Sequence, residues 1–271
     1  MLPVSAYYFD GYPNFGDALN VPILEKVFGT DVRQAAPGEA SILGIGSVLA
    51  TIFPGNWCGV RMEEQPRSSD PIHIWTTGFL EEPKVLAVPL RRPIVHALRG
   101  PRTKHYMEQL LGYALPVPLG DGGLLCSELL ESDPVRDTDI GLCGRPDQLK
   151  GREYKDLQYR TGAAFIDVTQ PAAEVLEAIS HCKTIASACL HPLVAADALH
   201  IPNVQLRPEA QSKESLFKFL DYYGAYGKGE YRAWRTAEIK DRASIENRCH
   251  TNFDDVDYIK QQLLEAFPRF L

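Results

Sequence analysis

No stretch of this 271-residue chain approaches the roughly 20 consecutive apolar residues that a membrane-crossing helix needs, so a helical membrane protein is not expected. The opening stretch, "MLPVSAYYFDGYPNFGD", has neither a basic flank nor a long apolar run, so a secretory leader is not expected and a cytoplasmic location is. Positive charge is in short supply. The 28 Lys and Arg are outnumbered by 35 Asp and Glu, for a formal charge of -7, which argues against a general nucleic-acid binder while leaving local basic clusters open. Cysteine pairs are also missing. Cys58, Cys126, Cys143, Cys182, Cys189 and Cys249 are scattered with no C-x-x-C spacing, which excludes a zinc ribbon or dithiol redox motif and predicts reduced, mostly buried thiols. No tract is polar enough to be disordered, and no sequence repeat is visible.

What is present is a chain 45% hydrophobic and 23% charged, able to bury a sizeable core. Its length suits two domains of roughly 130 residues. Short apolar runs alternate with segments of helical period, the pattern of βαβ units around parallel sheets. "SAYYF", "SILGIG", "HIWTTGF", "PIVHAL" and "PVPL" read as strands of a first half, with a helix from about Arg102 to Leu111 that starts after Pro101 and stops at Gly112. The charged segment "ESDPVRDTD" between Glu131 and Asp139 reads as a linker, giving units of residues 1–132 and 133–271. After it come the strands "IGLCG", "AAFIDV", "TIASAC" and "NVQL", and then a helical tail in which "KFLDYYGAYG" and "NFDDVDYIKQQLLEAF" are both helices, the second capped by Asn252. The fold class predicted is α/β: two Rossmann-like halves facing a cleft, with C-terminal helices.

One imidazole stands out. "TIASACLHPLVAADAL" places His191 where a strand of small residues turns into a helix, with Pro192 in the first turn. The bland reading is a satisfied core histidine. Against it, ligands of open α/β sheets bind at the carboxyl ends of strands, where helix N-termini offer free N–H groups to anions. The same positive helix end disfavours an imidazolium, and a bound dianion would reverse that. His191 is therefore read as a general acid for an anionic substrate. Ser187, at the end of the same strand, is a candidate contact.

The first half offers three further turns. "PNFGDALN" puts Asn14, Gly16 and Asp17 at a helix start, with Asn20 as another possible cap. "GIGSVL" puts Gly46 and Ser47 at a strand end but has Leu49 where a dinucleotide fingerprint needs glycine or alanine. "ALRGPRTKH" sends Arg99 straight out of an apolar strand, positioned for bidentate recognition of phosphate or carboxylate, with Arg102 close behind. Asp121 in "LGDGGLL" repeats the strand, tight turn and helix arrangement. The acidic triplets at 137–139 and 255–257 lie in the linker and at a helix start, so no metal site is expected.

In order, "NFGDALN", "GIGSVL", "ALRGPRT", "LGDGGLL", "IDVTQPAAEVLEAISHCKTIASACLHPLVAADALHIPNV" and "KFLDYYGAYG" resemble the polysaccharide pyruvyl transferase family, particularly its exopolysaccharide branch, from Asn14 to Gly227. The resemblance implies a fold similar to glycosyltransferase-B enzymes with the active site between the domains. It also implies transfer of the enolpyruvyl unit of phosphoenolpyruvate onto a sugar, free or lipid-linked, giving a pyruvate ketal. It implies that His191 is the acid and Arg99 a phosphoenolpyruvate ligand, with Asn14 and Asp17 toward the sugar, no redox cofactor and no catalytic metal. A lipid-linked acceptor would bring the protein to the inner membrane face. One departure matters: many relatives carry Arg two residues before the histidine, where this chain has Cys189, although the exopolysaccharide branch also lacks it. Arg102, Arg145 or Lys183 would then have to supply the cation. A nucleotide-sugar glycosyltransferase of the same architecture and a non-catalytic carbohydrate-binding relative remain as alternatives.

Overall fold

The computed structural model describes residues 3–57, 60–64, 67–84, 87–132, 134–209, 216–226 and 232–269; Cys58 and Gly227 lie outside them. In chain order the first half runs β1 (Val4–Tyr7), α1 (Phe15–Ala18), α2 (Asn20–Lys26), β2 (Val32–Gln34), β3 (Ile42–Leu43), the antiparallel hairpin β4 (Asn56–Trp57) and β5 (Val60–Arg61), β6 (Ile72–Trp75), β7 (Pro93–Ala97) and α3 (Pro101–Leu111). A 3₁₀ helix, Gly122–Leu129, closes it. The sheet is parallel throughout, in the order β2-β1-β3-β6-β7. Its central strands β3 and β6 are buried on both faces because helices and loops cover both sides.

The second half runs β8 (Thr138–Gly144), α4 (Pro146–Lys150), α5 (Arg152–Thr161), β9 (Ala164–Asp167), α6 (Ala172–Ser180), β10 (Cys182–Ser187), α7 (Leu190–Ala198), β11 (Asn203–Arg207), α8 (Phe217–Gly224), β12 (Trp234–Arg235), α9 (Arg242–Glu246) and α10 (Val256–Glu265). This sheet too is parallel, in the order β12-β11-β10-β8-β9. Setting the hairpin aside and counting strands within each half, both sheets have the order 2-1-3-4-5. The two halves thus share a topology that their sequences do not display. The α/β class holds, with two Rossmann-like halves facing a cleft.

The halves are joined by apolar packing. A single buried cluster includes Ala6, Leu19 and Trp75 from the first half and Val175, Ile185 and Leu193 from the second. The last helix, α10, returns to the first half: the Trp75 indole donates to the Leu263 carbonyl at 3.0 Å, and Phe267 stacks on Phe28 with ring centroids 3.8 Å apart. Among the described residues no helix is long and apolar enough to cross a membrane.

Several elements differ from the expectation. "PVPL" contributes only an isolated bridge, Leu98 to Leu119, because Pro116 and Pro118 have no N–H for a ladder. The last helix is capped at Asp255, and Asn252 instead accepts a bond from the Asp254 amide in a preceding turn. The final linker residues already belong to β8, where Asp139 pairs with Lys183 and Arg242. Of the described cysteines, Cys126, Cys143 and Cys182 are buried and Cys189 and Cys249 half-buried, all as free thiols.

Candidate functional site

In a 2-1-3-4-5 sheet the crevice opens where neighbouring strands send their connections to opposite faces, between the first and third strands. Here the two crevices face each other. β1 feeds Phe9, Tyr12, Asn14 and Asp17, β3 feeds Ser47, β8 feeds Arg145, and β10 feeds Cys189 and His191, and all these line one cleft of about 190 Å³.

His191 is the second residue of α7, a helix whose first turn has no side-chain cap. Its side chain is 11% exposed and lines the cleft rather than lying inside the second half. The Nε2 atom points inward, 3.7 Å from the Asp121 carboxylate, and neither that oxygen nor Nε2 has a hydrogen-bond partner among the described residues. The other Asp121 oxygen accepts from the Gly123 amide at 2.9 Å, which fixes the carboxylate behind the ring. An advance of about 0.8 Å would bring the pair to hydrogen-bond distance. Nδ1 lies on the side of Gly16, where a β-carbon would sit 1.7 Å from it. Gly16 is thus required by the ring's seat. The dyad can hold one tautomer and stabilise the imidazolium while Nδ1 handles the proton.

Asp17 faces the same ring from α1. Burial pushes its carboxyl up to about 6, against the opposing pull of His191 and of an N–H bond from the Phe9 backbone. Asn14 caps α1, accepting from the Gly16 amide at 3.1 Å and donating to the Asp17 carboxylate. Gly46, at φ +118°, leaves room for that carboxylate, which a β-carbon would meet at 2.7 Å. Asn20 locks the arrangement by exchanging bonds with the Ile45 backbone at 2.8 and 2.9 Å.

Two cations line the cleft. Arg145 is held by Asp147 through two bonds of 3.1 and 3.0 Å. Lys218, on α8, is the residue that the sequence did not single out. Burial first, then repulsion from Arg99 and Arg145, lowers its pKa, while the Asp17 carboxylate pulls the other way. Among the described residues its ammonium has no ion-pair partner. It lines the same cleft as Cys189, the position at which the resemblance calls for arginine. Burial raises the Cys189 thiol despite both cations, so it stays protonated near neutrality and is not a thiolate nucleophile.

Four expected contacts are not in the cleft. Arg99 is 0% exposed: it bonds Asp221 at 3.0 Å, the Ser47 hydroxyl at 2.7 Å and the Phe79 carbonyl, so its guanidinium is not offered to a substrate and reaches the cleft only through Ser47. Ser187 is buried and shapes the turn into α7, accepting from the Cys189 amide at 2.9 Å. Arg102 is exposed on α3, and Asp121 stands behind His191. Of the substitute cations, Arg145 is at the cleft, whereas Lys183 pairs with Asp139 at 2.7 Å near the start of β10, the opposite end of the sheet. Asn14, Asp17, Ser47 and His191 come together at the cleft, with Gly16 and Gly46 as the close-approach points.

A scan against protein-family models returns no match, and neither does a search of curated proteins. Among solved structures, an uncharacterized protein of Klebsiella pneumoniae is 14% identical with a TM-score of 0.43, covering 80% of this chain and 88% of its own. The wall teichoic acid polymerase TagF is 10% identical with a TM-score of 0.41, covering 98% of this chain and 85% of its own.

Proposed function

We propose that this protein is a transferase that moves the pyruvyl unit of phosphoenolpyruvate onto a sugar as a ketal. The observation that carries the reading is the pairing of a cleft imidazole, backed by a buried carboxylate, with an ammonium that forms no ion pair among the described residues. An anion fits beside Lys218 and the uncapped amides of α7, and His191 then lies at its flank. In this reading Lys218, with Arg145, takes the charge-neutralising part that the resemblance gave to Arg99.

The step balances as follows. His191 delivers a proton to the methylene carbon, which becomes a methyl group and leaves C2 electron-poor. A sugar hydroxyl bonds to C2 and gives its proton to Asp17, whose carboxyl, raised to about 6, is suited to exchange near neutrality. The C2–O bond to phosphate then breaks, phosphate departs with a proton, and a second hydroxyl closes the ketal. Two hydroxyl protons are lost, one to the methyl group and one to phosphate.

The test is phosphate release from phosphoenolpyruvate with a pyranoside diol, together with mass spectrometry of the sugar. Wild type should release phosphate and yield a pyruvylated sugar, and His191→Gln should do neither while staying folded. An unchanged rate in His191→Gln refutes the assignment, and UDP release from a UDP-sugar instead would make the protein a glycosyltransferase.

A further inference from the structure

The cleft has two unlike walls. Lys218, Arg145, Cys189 and His191 of the second half form the polar one. The wall from the first half is aromatic: Phe9 meets Tyr12 edge-on with centroids 4.9 Å apart, and Trp57 edge-on at 5.6 Å. This cluster is built rather than incidental. Gly11 lets the chain turn tightly beneath Phe9, since a β-carbon there would lie 2.6 Å from the ring. Tyr7 braces Trp57 from behind at 5.9 Å. Yet the cluster is not sealed: Tyr12 is 52% exposed and Leu80, at the same wall, 44%. The Trp57 indole N–H is buried without an acceptor among the described residues, an uncommon state for a ring that lines a cleft. Tyr12 and Arg145, one from each wall, both line the cleft.

We infer that the wall of Tyr12 and Trp57 is a pyranose subsite, where the C–H face of one sugar ring lies on the aromatic rings. A pyranose suits this wall because it has an apolar C–H face and polar edges together. The foot of the wall holds Asn14, Asp17 and Ser47, which address hydroxyls, and a small turn of Trp57 gives its indole N–H a sugar oxygen to bond. The inference rests on the transferase reading only for the sugar's chemical fate. Sugar binding itself stands on the wall.

The test is saturation-transfer NMR with methyl galactopyranoside and methyl glucopyranoside on wild type, Tyr12→Ala and Trp57→Ala, with circular dichroism to confirm folding. Because Tyr12 is so exposed, its variant is expected to fold even if the Trp57 variant does not. Saturation should reach the C–H protons of one sugar face and fall about fivefold to tenfold in Tyr12→Ala. No transfer from wild type, or undiminished transfer in Tyr12→Ala, overturns the inference, as does UMP binding at the wall in place of both sugars. Calorimetry with phosphoenolpyruvate on the same samples separates the two ideas. Sugar bound through Tyr12 without phosphoenolpyruvate binding sinks the transfer reaction and leaves the subsite, and the converse sinks the subsite alone.

Discussion

Two absent β-carbons make room for the proposed acid–base pair, since one at Gly16 would strike the His191 ring and one at Gly46 the Asp17 carboxylate. His191 was legible in the sequence because it is the one polar ring in a run of small residues at a strand-to-helix turn. Lys218 was not, because "FKFLDYYG" reads as an ordinary amphipathic helix until its docking is known. Arg99 was misread for a related reason: its counter-ion, Asp221, is 122 residues away, and no local pattern announces it. Two predictions belong to this scale. Asp17 acts as a base only when ionised, and with its folded-state pKa raised to about 6, kcat/KM should fall as the pH drops through about 6. A pH–rate profile checks this, and Asp17→Asn should leave a slower enzyme without that limb. Lys218→Met removes a charge-assisted contact of about 1.5–3 kcal/mol, so kcat/KM for phosphoenolpyruvate should fall about 10- to 100-fold. Steady-state kinetics would show it, and a change under twofold would remove Lys218 from the site.

α8 ties the site together. One turn sends Lys218 to the cleft and Asp221 to Arg99 and Thr103 of the first half, while Tyr222 donates to Asp197 of α7 at 2.7 Å. Gly100 allows the close approach, since a β-carbon there would lie 1.8 Å from the Asp221 carbonyl. Asp221→Ala would leave a buried guanidinium unpaired and should lower stability by about 3–5 kcal/mol in urea unfolding. Asp197 gives α8 a pH dependence. Burial raises its carboxyl to about 7, so the folded protein keeps a proton that the unfolded chain, at the ordinary aspartate value of 3.8, releases. The stability from this group is therefore complete below about 4 and is lost as pH rises through 7. In urea titrations Asp197→Asn should lack that decline. Helices with a regular apolar face, such as α3, were readable to within a residue. The strands β2 and β12, of 3 and 2 residues, were not, because so few positions carry no period.

At the scale of the whole molecule, alternation of apolar runs with helical segments was enough to give two parallel-sheet halves. The shared strand order was hidden, since topology depends on which strands pair and not on which residues fill them. The cleft follows from that order: two switch points face each other across an apolar interface, and α10 returns to fasten the first half. The consequence at issue is proton delivery from His191 to a small dianion held there. The most direct measurement is turnover of phosphoenolpyruvate with a pyranoside diol in heavy water, followed by mass spectrometry and NMR of the product. The account predicts a ketal whose methyl group carries one deuterium, formed by wild type and not by His191→Gln. A product without deuterium in that methyl group, or equal labelling by His191→Gln, would contradict it.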